Sequence, residues 1–350
     1  MSDVTSDIMQ EISSDEIQSM MDDMLGRQSF DFADYVGSLV NGSNPFDIKE
    51  VAKYIFQGIW DNIVQDRNIY IYLIVIAVTG ALLTNFSKLL QGKKVADMTF
   101  YSVYMLFFSV LSVSFARFSQ IACDTLEKVF DFIKVFGLSY FTCMTFTEGK
   151  VASGVFYEFM IVAMNVVDFI LIKFVMPAIQ FYFFLELANR ISDEDMFSKF
   201  AQLIKDLVNS GVKMMFGIIM GANVVQGLVV PVAAEAKNSI IVKMGSSIPG
   251  IGNTVSSVAG TVLCAGKLVR NAVGVIGIIV VAYICVVPLL RLVAVRLMYR
   301  VVSAFIQPIS DKRLVSCIDV MAETMKMQIY SVGVGAMMFV ISIAVISAMT

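Results

Sequence analysis

Histidine is absent from all 350 residues of this chain. With it go the commonest general base, the commonest proton shuttle and the imidazole metal ligand. Serine–histidine and cysteine–histidine triads are excluded, as are histidine-ligated zinc and haem. Charge is scarce too, at 16% of residues, against about 25% in an average soluble domain. A net charge of −3 and the lack of an arginine-rich or aromatic-interleaved basic stripe point away from nucleic acid. The five cysteines (Cys123, Cys143, Cys264, Cys285, Cys317) show no Cys-x-x-Cys spacing. Cys264 and Cys285 lie in apolar runs, where a thiol packs as a small hydrophobe. No enzymatic activity, no cofactor and no metal are expected.

What the chain has in excess is apolar surface: 57% of its residues are hydrophobic and its mean hydropathy is +0.77. A soluble fold could not hide this much, so the expected class is an all-α, polytopic helical membrane protein. A helix needs about 20 residues, at about 1.5 Å each, to cross roughly 30 Å of hydrocarbon. Charge-free windows of that length lie between Arg67 and Lys88, Asp97 and Arg117, Lys213 and Glu235, Arg270 and Arg291, and after Lys326. A sixth crossing falls in 151–190, where Pro177 is expected to break the run into a crossing helix and an oblique one. About six transmembrane helices result, with amphipathic or re-entrant helices besides.

Residues 1–67 read as an acidic, extracytoplasmic N-terminal segment and 68–350 as the membrane domain. Residues 1–35 carry nine acidic side chains and one basic one, Arg27. Ile17, Met20, Met21 and Met24, then Ile48, Val51, Ile55 and Ile59, mark two amphipathic helices. No basic stretch followed by an apolar run, as in a secretory signal, is visible at the start. The mixed charges and phenylalanines of 119–147 suit an interfacial helix. In 193–209 a stripe of Phe197, Phe200, Leu203, Ile204 and Leu207 predicts another amphipathic helix, with Asp193 as its N-cap.

The stretch "GSSIPGIGNTVSSVAGTVLCAGKLVRN" (245–271) resembles a phosphate-binding loop only superficially. Thr261 stands where the first Walker glycine belongs and Leu268 where a hydroxyl should bind magnesium. Val255 occupies the third glycine position of a dinucleotide fingerprint. Counting basic loops places 88–94, 190–213 and 291–326 in the cytoplasm. A crossing by 244–266 would export the last of these, so 244–270 is expected to form a Gly-rich hairpin on the outer face. Half of the 22 glycines fall between 211 and 277. Pro249, Gly250, Gly252, Ser256, Gly260, Gly266 and Gly274 are the candidate packing or subunit-interface residues, since small residues let helices approach closely.

Within the 151–177 helix, Glu158, Asn165, Asp168 and Lys173 stand at membrane depth, where such groups face a cavity or a partner. At 100° per residue Glu158 and Asn165 nearly eclipse and Asp168 lies about 80° away, while Lys173 points elsewhere. Asn223 and Gln226 are their candidate partners. The two readings are helix packing and a solute or ion pathway.

"NPFDIKEVAKYIFQGIWDNI", "MFGIIMGANVVQGLVVP", "PGIGNTVSSVAGTVLCAGKLVRNAVGVIG" and "PLLRLVAVRLMYRVVSAFIQPISDKRLVSCI" together resemble the stage III sporulation protein AE family of endospore-forming bacteria. The likeness runs from about residue 44 to the C-terminus and is strongest over 215–318. There Gln226-Gly227, Pro249, Lys267-x-x-x-Asn271-Ala272-x-Gly274 and Arg300-x-x-x-Ala304 to Pro308 stand in order. The resemblance implies a polytopic protein of the mother-cell membrane around the forespore. It also implies a role as a subunit of a channel-like complex with other stage III sporulation membrane proteins, needed for late forespore development. Association with further copies of itself stays open. The alternative is a stand-alone secondary transporter using Glu158, Asp168 and Lys173, although no internal repeat is visible.

Overall fold

The computed structural model describes residues 64, 66–83, 86, 93–148, 151–191, 196–245 and 252–348. The two N-terminal amphipathic stretches and Asp193 lie outside them. Among the described residues there is helix and no strand. Helix α1 spans Asp66–Leu83, α2 Lys93–Glu148 and α3 Val151–Ile170. A π turn, Leu171–Val175, leads into α4, Met176–Asn189. Then come α5, Ser198–Gly245, α6, Gly252–Ile306, and α7, Lys312–Ala348. Among the described residues six stretches are long and apolar enough to cross a membrane: Asp66–Leu83, Asp97–Gly137, Met160–Asn189, Ser198–Val225, Ala272–Ile306 and Lys312–Val345.

Periodicity explains the long helices. Along α2 the buried residues include Phe100, Tyr104, Phe107, Leu111, Phe115, Phe118, Ala122, Leu126, Val129, Ile133 and Phe136. Steps of three and four keep one stripe facing the bundle across the whole run. Residues 118–137 are therefore not a separate interfacial helix. They continue α2, with their phenylalanines in the core and their charges turned outward. The amphipathy was legible, but what covers its apolar side is the rest of the bundle rather than lipid. Phe115 stacks on Phe183 of α4 at 3.9 Å, and Phe132 and Phe136 meet Phe339 of α7 edge-on. Gly277 on α6 lets the Phe136 ring occupy the space a Cβ would need, and Gly80 on α1 does the same for Val103.

Pro177 does not break its helix. Residues 151–189 stay helical because the turn ahead of the proline widens, Met176 donating its N–H to the Leu171 carbonyl five residues back. Such a π turn absorbs the missing N–H and moves the crowded carbonyl away from the ring. The next helix starts at Ser198, so Asp193 lies too early in the chain to be its N-cap. Asn189 Oδ1 instead accepts the Phe197 N–H at 3.0 Å. The stripe expected on this segment is turned outward at Phe197, Phe200, Leu203 and Leu207, with only Ile204 in the core. Ala201, Ile204, Val208, Val212, Met215 and Ile219 face the bundle.

Gln328, at the centre of α7, is fully buried, and neither amide atom finds a partner among the described residues. An orphaned buried polar group costs about 1–3 kcal/mol, and an apolar side chain of similar length removes that cost. Gln328→Met is expected to raise the thermal midpoint of the detergent-purified protein. A lower midpoint would mean that the amide is engaged.

Candidate functional site

Asp66, at the first turn of α1, is 1% exposed. Its Oδ1 lies 2.7 Å from Arg117 Nη1 on α2 and its Oδ2 3.2 Å from Arg291 Nη2 on α6. The edge-to-face rings of Tyr70 and Tyr299, 5.6 Å apart, pack one turn further along α1. This cluster orders the bundle along its axis. Arg117 meets Arg291 through Asp66 and Phe136 meets Gly277, so α2 and α6 run antiparallel. Residues 118–136 therefore lie beside 277–290, and 98–116 lie beside the stretch that follows Arg291.

The charge-free windows consequently sit end to end rather than side by side. Those of α1 and α2 fill one half of the bundle; Gly80 touches Val103 there. Those of α5, α6 and α7 fill the other half, where Asn223 meets Ser342. A 41-residue span such as Asp97–Gly137 is about 60 Å long at about 1.5 Å per residue, roughly twice a hydrocarbon core. Each half brings the apolar window of some helices level with charged stretches of others.

In the half beside 277–290, Gln120, Asp124, Glu127, Asp131 and Lys134 form one exposed face of α2, three and four residues apart. The face opens into a cavity of about 420 Å³ lined by Glu127, Asp131, Lys134, Asn165, Asp168, Phe169, Ile172 and Lys173. Lys134 Nζ stands 3.2 Å from Asp131 and 3.8 Å from Asp168. Asp168 Oδ1 is buried and makes no hydrogen bond among the described residues. Three carboxylates and two ammonium groups thus line one cavity, a setting for a hydrated or charged occupant rather than for lipid.

The structure corrects the geometry expected for these residues. Lys173 does not point away from Asp168, since both line the cavity. The π turn at Leu171–Val175 closes over five residues and swings Lys173 back, which a uniform 100° wheel cannot show. Asp168's charged neighbour is Lys134 of α2, not Asn223. Asn223 is buried and donates to Ser342 Oγ at 3.0 Å. Asn165 donates to the Ile161 carbonyl on its own helix at 2.9 Å. The side chains of Glu158 and Gln226 lie outside the described ones. Lys134, Asp131 and Glu127 were missed because their stretch of helix was read as interfacial, and Arg117 and Asp66 because a charge at the edge of a window reads as a boundary.

Pro249 and Gly250 lie outside the described residues. Gly252 opens α6, so 252–270 is the first part of a helix that continues to Ile306; Ser256, Gly260 and Gly266 ride on it, and Gly274 is buried. Gly211, Gly217 and Gly221 face open space on α5.

At the other end of the bundle, Arg313 lies over the Phe100 ring at 3.6 Å and Tyr104 donates to the Leu187 carbonyl. Beside them is a cavity of about 650 Å³ between α4, α6 and α7.

The sequence family described as Stage III sporulation protein AE (spore_III_AE) matches residues 30–350. The protein named Stage III sporulation protein AE of Bacillus subtilis (strain 168) is 20% identical over 312 residues, covering 88% of this chain and 77% of that protein. No solved structure matches.

Proposed function

This chain belongs to the stage III sporulation protein AE family and is a multi-pass membrane protein of sporulation; from that premise we propose that it is a non-enzymatic subunit of a channel-like complex joining mother cell and forespore. The end-to-end placement of the charge-free windows supports this reading. Whichever half of the bundle lies in the hydrocarbon, a polar face comes to membrane depth: the α2 face and the Asp168 cavity, or the charges after Arg291 and those of early α5 and α7. Each charge facing lipid would cost about 2.5–3.5 kcal/mol on insertion scales. Other subunits, or a water-filled space between them, relieve that cost. In this reading the protein sits in the mother-cell membrane around the forespore, with residues 1–67 extracytoplasmic and the basic loops in the cytoplasm. Its partners are other stage III sporulation membrane proteins.

The outward face of α5 fits an assembly role. Gly217 and Gly221 form a Gly-x-x-x-Gly pair, both exposed and, among the described residues, with no other helix within 4 Å of an added Cβ. Such pairs let membrane helices approach closely. The test is mild-detergent purification from sporulating cells followed by mass spectrometry. Several stage III sporulation membrane proteins in reproducible ratio are expected, and Gly221→Leu is expected to lose partners at unchanged protein level. The second reading, a stand-alone transporter working through Asp168 and Lys173, rests on the 420 Å³ cavity. A stable protein without partners would favour it.

A further inference from the structure

The larger cavity, at the end of the bundle away from Asp168, is lined by charges of both signs. Its walls include Glu186 and Arg190 of the α4 end, Arg300, Ser303 and Gln307 of the α6 end, and Asp319 and Glu323 of α7. Most of these charges are already matched. Arg190 Nη2 donates to Glu186 Oε2 at 3.0 Å. Glu323 is held by Lys205 at 3.0 Å and Lys326 at 3.7 Å.

Three capacities remain. Arg190 Nε is buried without a hydrogen-bond partner among the described residues. Arg300 lines the cavity and has no ion-pair partner among the described residues. Asp319 accepts one hydrogen bond, from Ser303 Oγ at 2.8 Å, and meets no cation among the described residues. Arg300 stands one turn before Ser303, and both Arg300 and Asp319 are exposed, so solvent-accessible charges of both signs lie within about a helical turn of each other.

We propose that this cavity binds a small zwitterion, a free amino acid or a short unblocked peptide. Its carboxylate is taken by Arg300 and Arg190 Nε and its ammonium group by Asp319. A simple anion would leave Asp319 unmatched beside two further carboxylates. A polyamine would leave Arg300 without a counter-charge and Arg190 Nε without an acceptor. Arginine's planar fork suits a carboxylate, and the volume of about 650 Å³ falls in the usual range of small-molecule sites.

The test is equilibrium dialysis of the full-length protein in mild detergent. The probes are mixed free amino acids, mixed unblocked tripeptides, inorganic phosphate, succinate and spermidine. Saturable binding is expected for an amino acid or tripeptide and for none of the other three. Arg300→Gln and Asp319→Asn should each weaken it by about tenfold or more, since hydrogen bonds to charged groups are the strong ones. N-acetylated and C-amidated tripeptides test the wild-type protein without reliance on variant folding, and blocking either end should abolish binding. The proposal is overturned if no zwitterion binds, if phosphate, succinate or spermidine binds comparably, or if blocked peptides bind as well as free ones.

Discussion

Asp66→Ala is expected to destabilise the folded bundle by about 3–5 kcal/mol, the cost of removing one partner from a buried ion pair. The carboxylate is 1% exposed and joins three helices through Arg117 and Arg291. Its two pairs are not equivalent. The Arg117 side chain is 43% exposed, so water takes over much of its solvation once Asp66 is gone. Arg291 is 18% exposed and keeps a charge with no other carboxylate beside it among the described residues. Most of the loss therefore falls on Arg291. Removing that charge as well, in Asp66→Ala/Arg291→Leu, is expected to recover part of the stability. The measurement is the thermal midpoint and monodisperse yield of the full-length protein in mild detergent. A double variant no more stable than Asp66→Ala would show that the pair does not join α1 to α6.

Asp168→Asn is expected to separate function from stability. Among the described residues Asp168 has one buried oxygen without a hydrogen bond and a lysine at 3.8 Å, a loose pairing for a largely buried charge. The amide keeps the shape and removes the ionic desolvation cost, so protein level and thermal midpoint should hold or rise. If the cavity faces a solute path or a polar neighbour, heat-resistant spores should nevertheless fall by orders of magnitude. Lys134→Gln, across the cavity, should act in the same direction. Normal spore counts with normal protein levels would assign Asp168 to packing. A fall in both would assign it to folding.

Several features were legible in the residues alone because they follow from composition and local period. Charge-free apolar runs of about 20 residues dictate helices in a membrane, since a helix bonds all its backbone within the run, whereas a barrel strand needs only about ten alternating residues. Five of the six apolar stretches followed from charge-free runs and the sixth from the long apolar run 151–190. The resemblance carried by the stretches over 215–318 reached the family.

Other features depended on which helix lies against which. Whether the charges of 119–134 meet lipid headgroups or cap a helix of the bundle is set by Phe132 and Phe136 finding partners on α6 and α7. The π turn that brings Lys173 round to Asp168 answers the constraint at Pro177, and a uniform wheel has no place for it. The longitudinal offset of the windows is the clearest case. Hydropathy measures each helix along its own axis and cannot slide one helix past another. That offset is decided by contacts between residues far apart in the chain, above all by Asp66 reaching Arg291, 225 positions away.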